Sequence, residues 1–254
     1  MQLNTIYIQD VFSFLESLDH KSIDLAIIDP PYNLKVDTWD NFQSQKEFLE
    51  FSYKWMDLLL LKMKKSGSFY IFNTPYHCAL FVHYLQEKAV FQNFITWYKK
   101  DGLSYTKKRF VNNQESILFY TIDSKHYYFD CESVRLPYVS TSRIAHAVKN
   151  GILKNGKRWF PNPNGKLCPD VWEIASQRHK QKKNGKTQKL HHPTIKPREM
   201  IERIIKASSK KGDLVLDLFS GSGMTSLVAR DLERSFIGCE LNKESIDSSL
   251  AIKE

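Results

Sequence analysis

Two short apolar runs constrain this chain most: Asp24–Ile28 (DLAII) and Leu214–Leu218 (LVLDL). Each is long enough for one buried strand, and each is followed by residues that forbid the strand to continue. After the first comes Asp29-Pro30-Pro31-Tyr32. Two prolines fix φ and remove two N–H donors, so the chain must leave in an extended turn with its carbonyls unpaired. The second runs as Asp217-Leu-Phe219-Ser-Gly221-Ser222-Gly223-Met-Thr225, a tight glycine turn into a helix. The first free N–H groups of such a helix favour an anionic ligand group.

Other strand and helix signals alternate around these runs. Thr5–Gln9, Ser68–Phe72, Phe94–Tyr98, Ser116–Ile122 and Ser235–Cys239 read as strands. Val11–Leu18, Glu47–Lys64, about His77–Gln86, Arg198–Ser208 and a segment from about Thr225 read as helices. Strands separated by helices argue for a mainly parallel sheet covered on both faces. Joined end to start, the order becomes strand Leu214–Leu218, helix, strand Ser235–Cys239, helix, strand Thr5–Gln9, helix, strand Asp24–Ile28. That is a doubly wound α/β fold read from a different starting point. In sheet order 3-2-1-4-5, strands one and four are neighbours at the switch point. Asp217 and Asp29 would then end adjacent strands and line one crevice, although they are 188 residues apart. Glu240 ends the next strand 23 residues after Asp217, about where nucleotide-binding folds place a ribose ligand.

From about Asp130 to Leu190 the periodicity fails and charge takes over. Val134–Leu190 holds 13 Lys and Arg against Asp170 and Glu173, a net +11. The whole 254-residue chain carries +9, so the remainder is slightly acidic at −2. Aromatic residues and Gly turns are interleaved there (NGKRWFPNPNGK, SQRHKQKKNGK). Such a segment suits phosphate contacts, and equally a solvated basic loop. Four scattered cysteines without a CxxC pair support neither a zinc knuckle nor a disulfide framework, and suit a reducing cytoplasm. No secretory leader or membrane span is legible. His191 and His192 lack the Cys or carboxylate cluster that a metal site needs.

Together these motifs resemble the β-group DNA amino-methyltransferases, over nearly the whole chain. The resemblance rests on DPPYN, the strand SFYIFN, the stretch Arg109–Glu115 (RFVNNQE), and HPTIKP at 192–197 before the glycine motif. NGKRWFPNPNGKLC and SQRHK look most like adenine methyltransferases of type IIS restriction–modification systems. Met224-Thr225 departs from the Thr-Thr of many members. The resemblance implies a Rossmann-like S-adenosylmethionine-dependent methyltransferase fold in circularly permuted order. Residues 1–130 would be its catalytic half, 131–190 a target-recognition region and 191–254 its cofactor half.

It also implies methyl transfer from S-adenosylmethionine to adenine N6 of a base turned out of double-stranded DNA. Asp29, Pro30, Pro31 and Tyr32 would be catalytic: the carboxylate and the Pro30 carbonyl hold the amine and the Tyr32 ring stacks on the base. Asp10, Asp29, Thr194, Lys196, Asp217, Phe219, Gly221, Ser222, Gly223, Thr225 and Glu240 would line the cofactor site. Asp10 reads equally well as a helix N-cap. Trp39 and Phe42 could close over the base or simply pack. Lys182 and Lys183 would meet phosphates; Arg158, Trp159 and Arg178 are the candidates for base contacts. A cognate restriction endonuclease and a homodimer are the implied partners.

Other chemistries fit less well. Cytosine C5 methylation needs a thiolate after proline, and Cys168 precedes one instead. N4-cytosine methylation shares the geometry and is the nearest alternative. Protein glutamine methylation goes with Asn in place of Asp29. A silent DNA-binding subunit would not need both motifs intact. An RNA substrate stays open.

Overall fold

The computed structural model describes residues 1–35, 40–100, 106–176, 180–183, 186–189 and 195–253, with backbone alone considered at 180–183 and 186–189. Its strands are β1 (Thr5–Ile8), β2 (Ile23–Ile28), β3 (Met63–Asn73), β4 (Val90–Tyr98), β5 (Gln114–Thr121), β6 (Ile152–Lys154), β7 (Lys157–Trp159), β8 (Val171–Glu173), β9 (Lys180–Lys183), β10 (Lys186–Lys189), β11 (Leu214–Asp217), β12 (Ser235–Glu240) and β13 (Ala251–Lys253). The helices are α1 (Val11–Ser17), α2 (Gln45–Lys62), α3 (Pro75–Leu85), α4 (Thr141–Asn150), α5 (Arg198–Ser208) and α6 (Met224–Asp231).

Nine strands form one sheet in the order β13-β1-β12-β11-β2-β3-β5-β4-β8. The stretch β1-β12-β11-β2-β3 is parallel and is the 3-2-1-4-5 order of a doubly wound fold, entered at its third strand. β11 and β2 are hydrogen-bonded neighbours, with Val215 opposite Leu25 and Leu216 opposite Ala26. β5 then enters antiparallel between β3 and β4. Its first residues therefore lie at the carboxyl edge of the parallel strands, Ser116 opposite Asn73.

Side chains alternate across the sheet with period two. Ala26, Ile28, Phe69 and Ile71 face α1, α2 and α3 in one apolar layer with Phe14, Phe48, Trp55 and Phe81. Leu25, Ile27, Tyr70 and Phe72 face the other way, with Met200, Ile204 and Val228 of α5 and α6. Both faces are thus covered, which is why the central strands read as continuous apolar runs.

Three local features differ from the sequence reading. Among the described residues the helix expected between β12 and β1 in cyclic order is replaced by a single 3-10 turn, Lys243–Ser245, that leads to β13. Short polar side chains take the backbone donors locally, Asn242 from Glu244 N and Asp247 from Ser249 N, and so compete with a helix. The basic stretch is not without regular structure. It holds α4, the hairpins β6–β7 and β9–β10, and β8, which pairs in parallel with β4 at the sheet edge. Finally, β3 starts five residues earlier than its apolar run, at Met63, and shifts register between Met63 and Ser68, opposite Ile23–Leu25.

Candidate active site

The Pro-Pro turn after β2 is held open by one buried carboxylate. Asp40, 1% exposed, accepts from Tyr32 N and Asn33 N at Oδ1 (both 2.6 Å) and from Leu34 N at Oδ2 (2.8 Å). Asn33 and Lys35 have positive φ, 54° and 58°, and so the chain doubles back. Asn73, at the end of β3, donates to the Pro31 carbonyl, at 3.4 Å, and bonds His77 Nδ1, at 2.9 Å.

This turn delivers Asp29 and Tyr32 into a buried ionic cluster. Lys196 Nζ donates to Asp29 Oδ2 at 2.7 Å and stands 3.4 Å from Glu115 Oε2. The Tyr32 hydroxyl lies 3.0 Å from Asp29 Oδ1 and 3.1 Å from Glu115 Oε2. Lys99 pairs with Glu115 Oε1 from the far side. Burial pushes the Asp29 carboxyl up, with Lys196 pulling against it. Burial works the same way on Glu115, but Lys196 and Lys99 outweigh it and hold that carboxyl below its ordinary value. Burial disfavours the Lys196 ammonium; Asp29 and Glu115 more than offset this and raise it. Burial, then the two carboxylates, keep the Tyr32 phenol far above its ordinary value.

Across the crevice, the glycine turn after β11 is built around Glu240. Its Oε2 accepts from Gly221 N (2.7 Å), and its Oε1 accepts from Leu241 N (2.9 Å) and Asn242 N (3.0 Å). Gly238 makes room for the turn: a Cβ there would lie 2.4 Å from Ser220 Oγ and 2.8 Å from the Asp217 carbonyl. Asp217, 5% exposed, is pushed up to about 7 by burial, against hydrogen bonds from Thr225 and Phe219 N. Asp10 caps α1, accepting from Phe12 N and Ser13 N, and also lines the crevice.

One cavity of about 860 Å³ joins the two turns. Of the residues singled out from sequence, Asp10, Asp29, Pro30, Pro31, Tyr32, Lys196, Asp217, Phe219, Gly221, Ser222, Thr225 and Glu240 line it. Gly223 does not. Its φ is +77°, and a Cβ there would lie 2.3 Å from Leu250 Cδ1 and 3.3 Å from Ile6 Cδ1. Phe42 lines the cavity and packs on Phe48 and Phe51 at 5.3 Å. Arg158 and Trp159 stand exposed on β7, with Arg158 Nη1 donating to the Asn150 carbonyl at 2.9 Å. Lys182 and Lys183 belong to β9, and their side chains lie outside the described residues, as do Trp39, Arg178, His191, His192 and Thr194.

Three residues of the cluster had no role from sequence: Glu115, Asp40 and Lys99. Glu115 closes RFVNNQE, and an acid one residue into an apolar strand was the signal available. Asp40 offered none. Among the described residues, no group of three or more His, Cys, Asp or Glu could hold a metal ion, and no helix is long and apolar enough to cross a membrane.

A doubly wound sheet whose carboxyl edge holds an acid-lined cavity defines an enzyme of the nucleotide-cofactor class. The chain belongs to the N6_N4 family of DNA methylases, whose family model matches residues 23–253. That family is S-adenosylmethionine-dependent. The type II methyltransferase M1.MboII of Moraxella bovis is 54% identical over 250 residues, 98% of this chain and 96% of its own. The type II methyltransferase M.HpaI of Haemophilus parainfluenzae is 35% identical over 92% of this chain and 68% of its own. Among solved structures, the cytosine-N4-specific PvuII DNA methyltransferase superposes with a TM-score of 0.70 at 19% identity, covering 94% of this chain and 82% of its own. M1.HpyAVI in complex with SAM gives 0.62 at 23% identity, covering 95% and 94%.

Proposed function

We propose that this chain is a β-group, cytoplasmic DNA methyltransferase that methylates adenine N6 as the modifying enzyme of a restriction–modification system. One observation carries the reading: the Asp29-Pro-Pro-Tyr turn and the Gly221–Glu240 turn open into one cavity. The cofactor half suits S-adenosylmethionine. The Glu240 carboxylate has lone pairs left for hydroxyl donors, and Phe219, edge-on to Trp55 at 5.9 Å, offers a fixed apolar face. Bound there, S-adenosylmethionine supplies an electrophilic sulfonium methyl.

The chain's own groups then act on the amine. The N6 lone pair is delocalised into the adenine ring, so the nitrogen is a poor nucleophile. Asp29 and the Pro30 carbonyl accept its hydrogens and stabilise the positive charge that develops as nitrogen becomes tetrahedral. Positioning in line does much of the rest. The reach of the cavity requires the base to leave the duplex, with Tyr32 stacking on it. Residues 131–190 serve as the target-recognition region, in which Lys182 and Lys183 meet phosphates, and Arg158, Trp159 and Arg178 approach bases. A cognate endonuclease, and a second copy of the chain, are its proposed partners.

The test is the protein with methyl-labelled S-adenosylmethionine on genomic DNA, followed by separation of nucleosides. Label in N6-methyl-2′-deoxyadenosine is the expected result. Label in N4-methylcytosine alone would move the reading to the cytosine amine, which the same carboxylate can hold. Label in neither would overturn it.

A further inference from the structure

Three oxygens in the ionic cluster share one hydrogen. The Tyr32 hydroxyl lies 3.0 Å from Asp29 Oδ1 and 3.1 Å from Glu115 Oε2. A phenol has a single O–H, and two ionised carboxylates accept only. One of the two short contacts is therefore satisfied only when a carboxyl also carries a proton. Methylation of an exocyclic amine delivers such a proton beside Asp29.

We infer that Asp29, Tyr32 and Glu115 form a relay that carries the amine's proton away from the reacting nitrogen. The inference rests on the proposed function but not on which base is methylated. The balance is as follows. The amine nitrogen bonds the methyl carbon, and sulfur keeps the electron pair of the broken S–C bond. One N–H bond then breaks, its pair staying on nitrogen, and the proton passes to Asp29 Oδ1, the oxygen that Lys196 does not hold. Tyr32 turns its hydrogen from Asp29 to Glu115 Oε2 and accepts from Oδ1–H. Transfer along both hydrogen bonds leaves Asp29 anionic again and Glu115 neutral. The other oxygen of Glu115 is paired with Lys99, an ammonium that accepts no proton; Glu115, its side chain 17% exposed and its hold on a proton weakened by Lys196 and Lys99, releases the proton to solvent and returns to the anion. Tyr32 and Glu115 are thus positioning and proton-transfer groups for Asp29, beyond any stacking role of the ring.

The charged and titratable groups around the relay are Lys196 between the two carboxylates, Lys99 beyond Glu115, Asp217 facing Asp29, and Cys78 near Tyr32 and Glu115. None of them offers Asp29 Oδ1 a second hydrogen-bonded exit among the described residues.

The experiment is single-turnover methyl transfer from pH 5.5 to 9 by the wild type, Tyr32→Phe, Glu115→Gln and the double variant, with cofactor and DNA affinity measured alongside. Tyr32→Phe keeps the ring and deletes only the hydroxyl. Each single variant should lose about a hundredfold in rate, the low end of what a positioned acid–base group supplies, with both affinities unchanged. The double variant should be no slower than the slower single one. Both singles should change the shape of the pH profile, which a packing defect alone would not. Two singles at wild-type rate and profile, or losses that multiply in the double variant, would overturn the relay. If Glu115→Gln does not melt cooperatively, Tyr32→Phe and its pH profile decide alone. A wild type that methylates no exocyclic amine removes the proposed function instead, independently of these variants.

Discussion

Replacing Asp217 with asparagine should stabilise the free protein above neutral pH and weaken its hold on the cofactor. Burial at the end of β11 moves this carboxyl from 3.8 to about 7. Between those values the folded chain keeps a proton that the unfolded chain has released. Stability is therefore drawn down as pH rises from about 4 to 7, and the full penalty stands above 7. A shift of roughly three pH units at 1.36 kcal/mol each gives about 4 kcal/mol. Asparagine keeps an oxygen acceptor for Phe219 N and the Thr225 hydroxyl, and has no charge to bury. The variant should gain about 4 kcal/mol at pH 8, about 1.5 at pH 5 and about half a kcal/mol at pH 4. Urea denaturation of parent and variant at the three pH values measures this directly, because the titrations of groups not coupled to Asp217 cancel in the difference. A variant no more stable than the parent at pH 8, or more stable by the same amount at every pH, would refute the account of Asp217 as a charge held in place at a cost. Weaker cofactor binding by the stabilised variant would be the usual exchange of stability for a working site.

Other perturbations test the remaining parts. Gly223→Ala forces a side chain into left-handed backbone and onto Leu250 Cδ1; a loss of about 1–3 kcal/mol is expected, read as a lower melting temperature. Lys196→Met leaves Asp29 without its cation and facing Glu115, which keeps only Lys99. The loss should reach about 3–5 kcal/mol at pH 8 and be smaller at pH 5, where a carboxyl takes up a proton in compensation; equal losses at both pH values would count against the buried pair. The double change Lys182→Gln, Lys183→Gln should flatten the log–log salt dependence of DNA binding by about 0.9 per lost phosphate contact, and an unchanged slope would remove these lysines from the interface.

The legible parts of this molecule were those whose cause lies in neighbouring residues. Asp29 and Asp217 could be placed at adjacent strand ends because an apolar run, a turn signal and the cyclic order of elements are all local patterns. Glu115 could not, because its place in the cavity depends on β5 entering antiparallel between β3 and β4, a pairing set by distant strands. Asp40 reaches the Pro-Pro turn only because the chain doubles back at Asn33 and Lys35. Gly223 was read as shaping a ligand pocket; it stands outside the cavity lining, and the close approach of Leu250 and Ile6 to its Cα, set by distant elements, was not legible. α4 was missed because it is short and sits among basic residues: Ile144, Ala147 and Val148 share one face, but Ala147 alone among its described residues is fully covered.

The division of charge along the sequence acquires a physical meaning in the cavity. Asp10, Asp29, Asp40, Glu115, Asp217 and Glu240 all line it, against Lys196 among the described cations. Such a surface has an unfavourable potential for a phosphate and a favourable one for a sulfonium or for an amine turning positive. A phosphate backbone therefore meets an opposing field in the crevice, and a neutral or cationic group does not. The +11 stretch between Val134 and Leu190 supplies the opposite field elsewhere. Among the described residues its two hairpins are sheets of their own, and the stretch joins the nine-stranded sheet through the edge strand β8. Segregating the two signs on different elements lets one chain attract a polyanion and yet keep its phosphates out of the site where a cation must form. Mixing them, by moving basic residues to the cavity rim, would strengthen binding and at the same time draw phosphate toward Asp29, so affinity and turnover would then change in opposite directions.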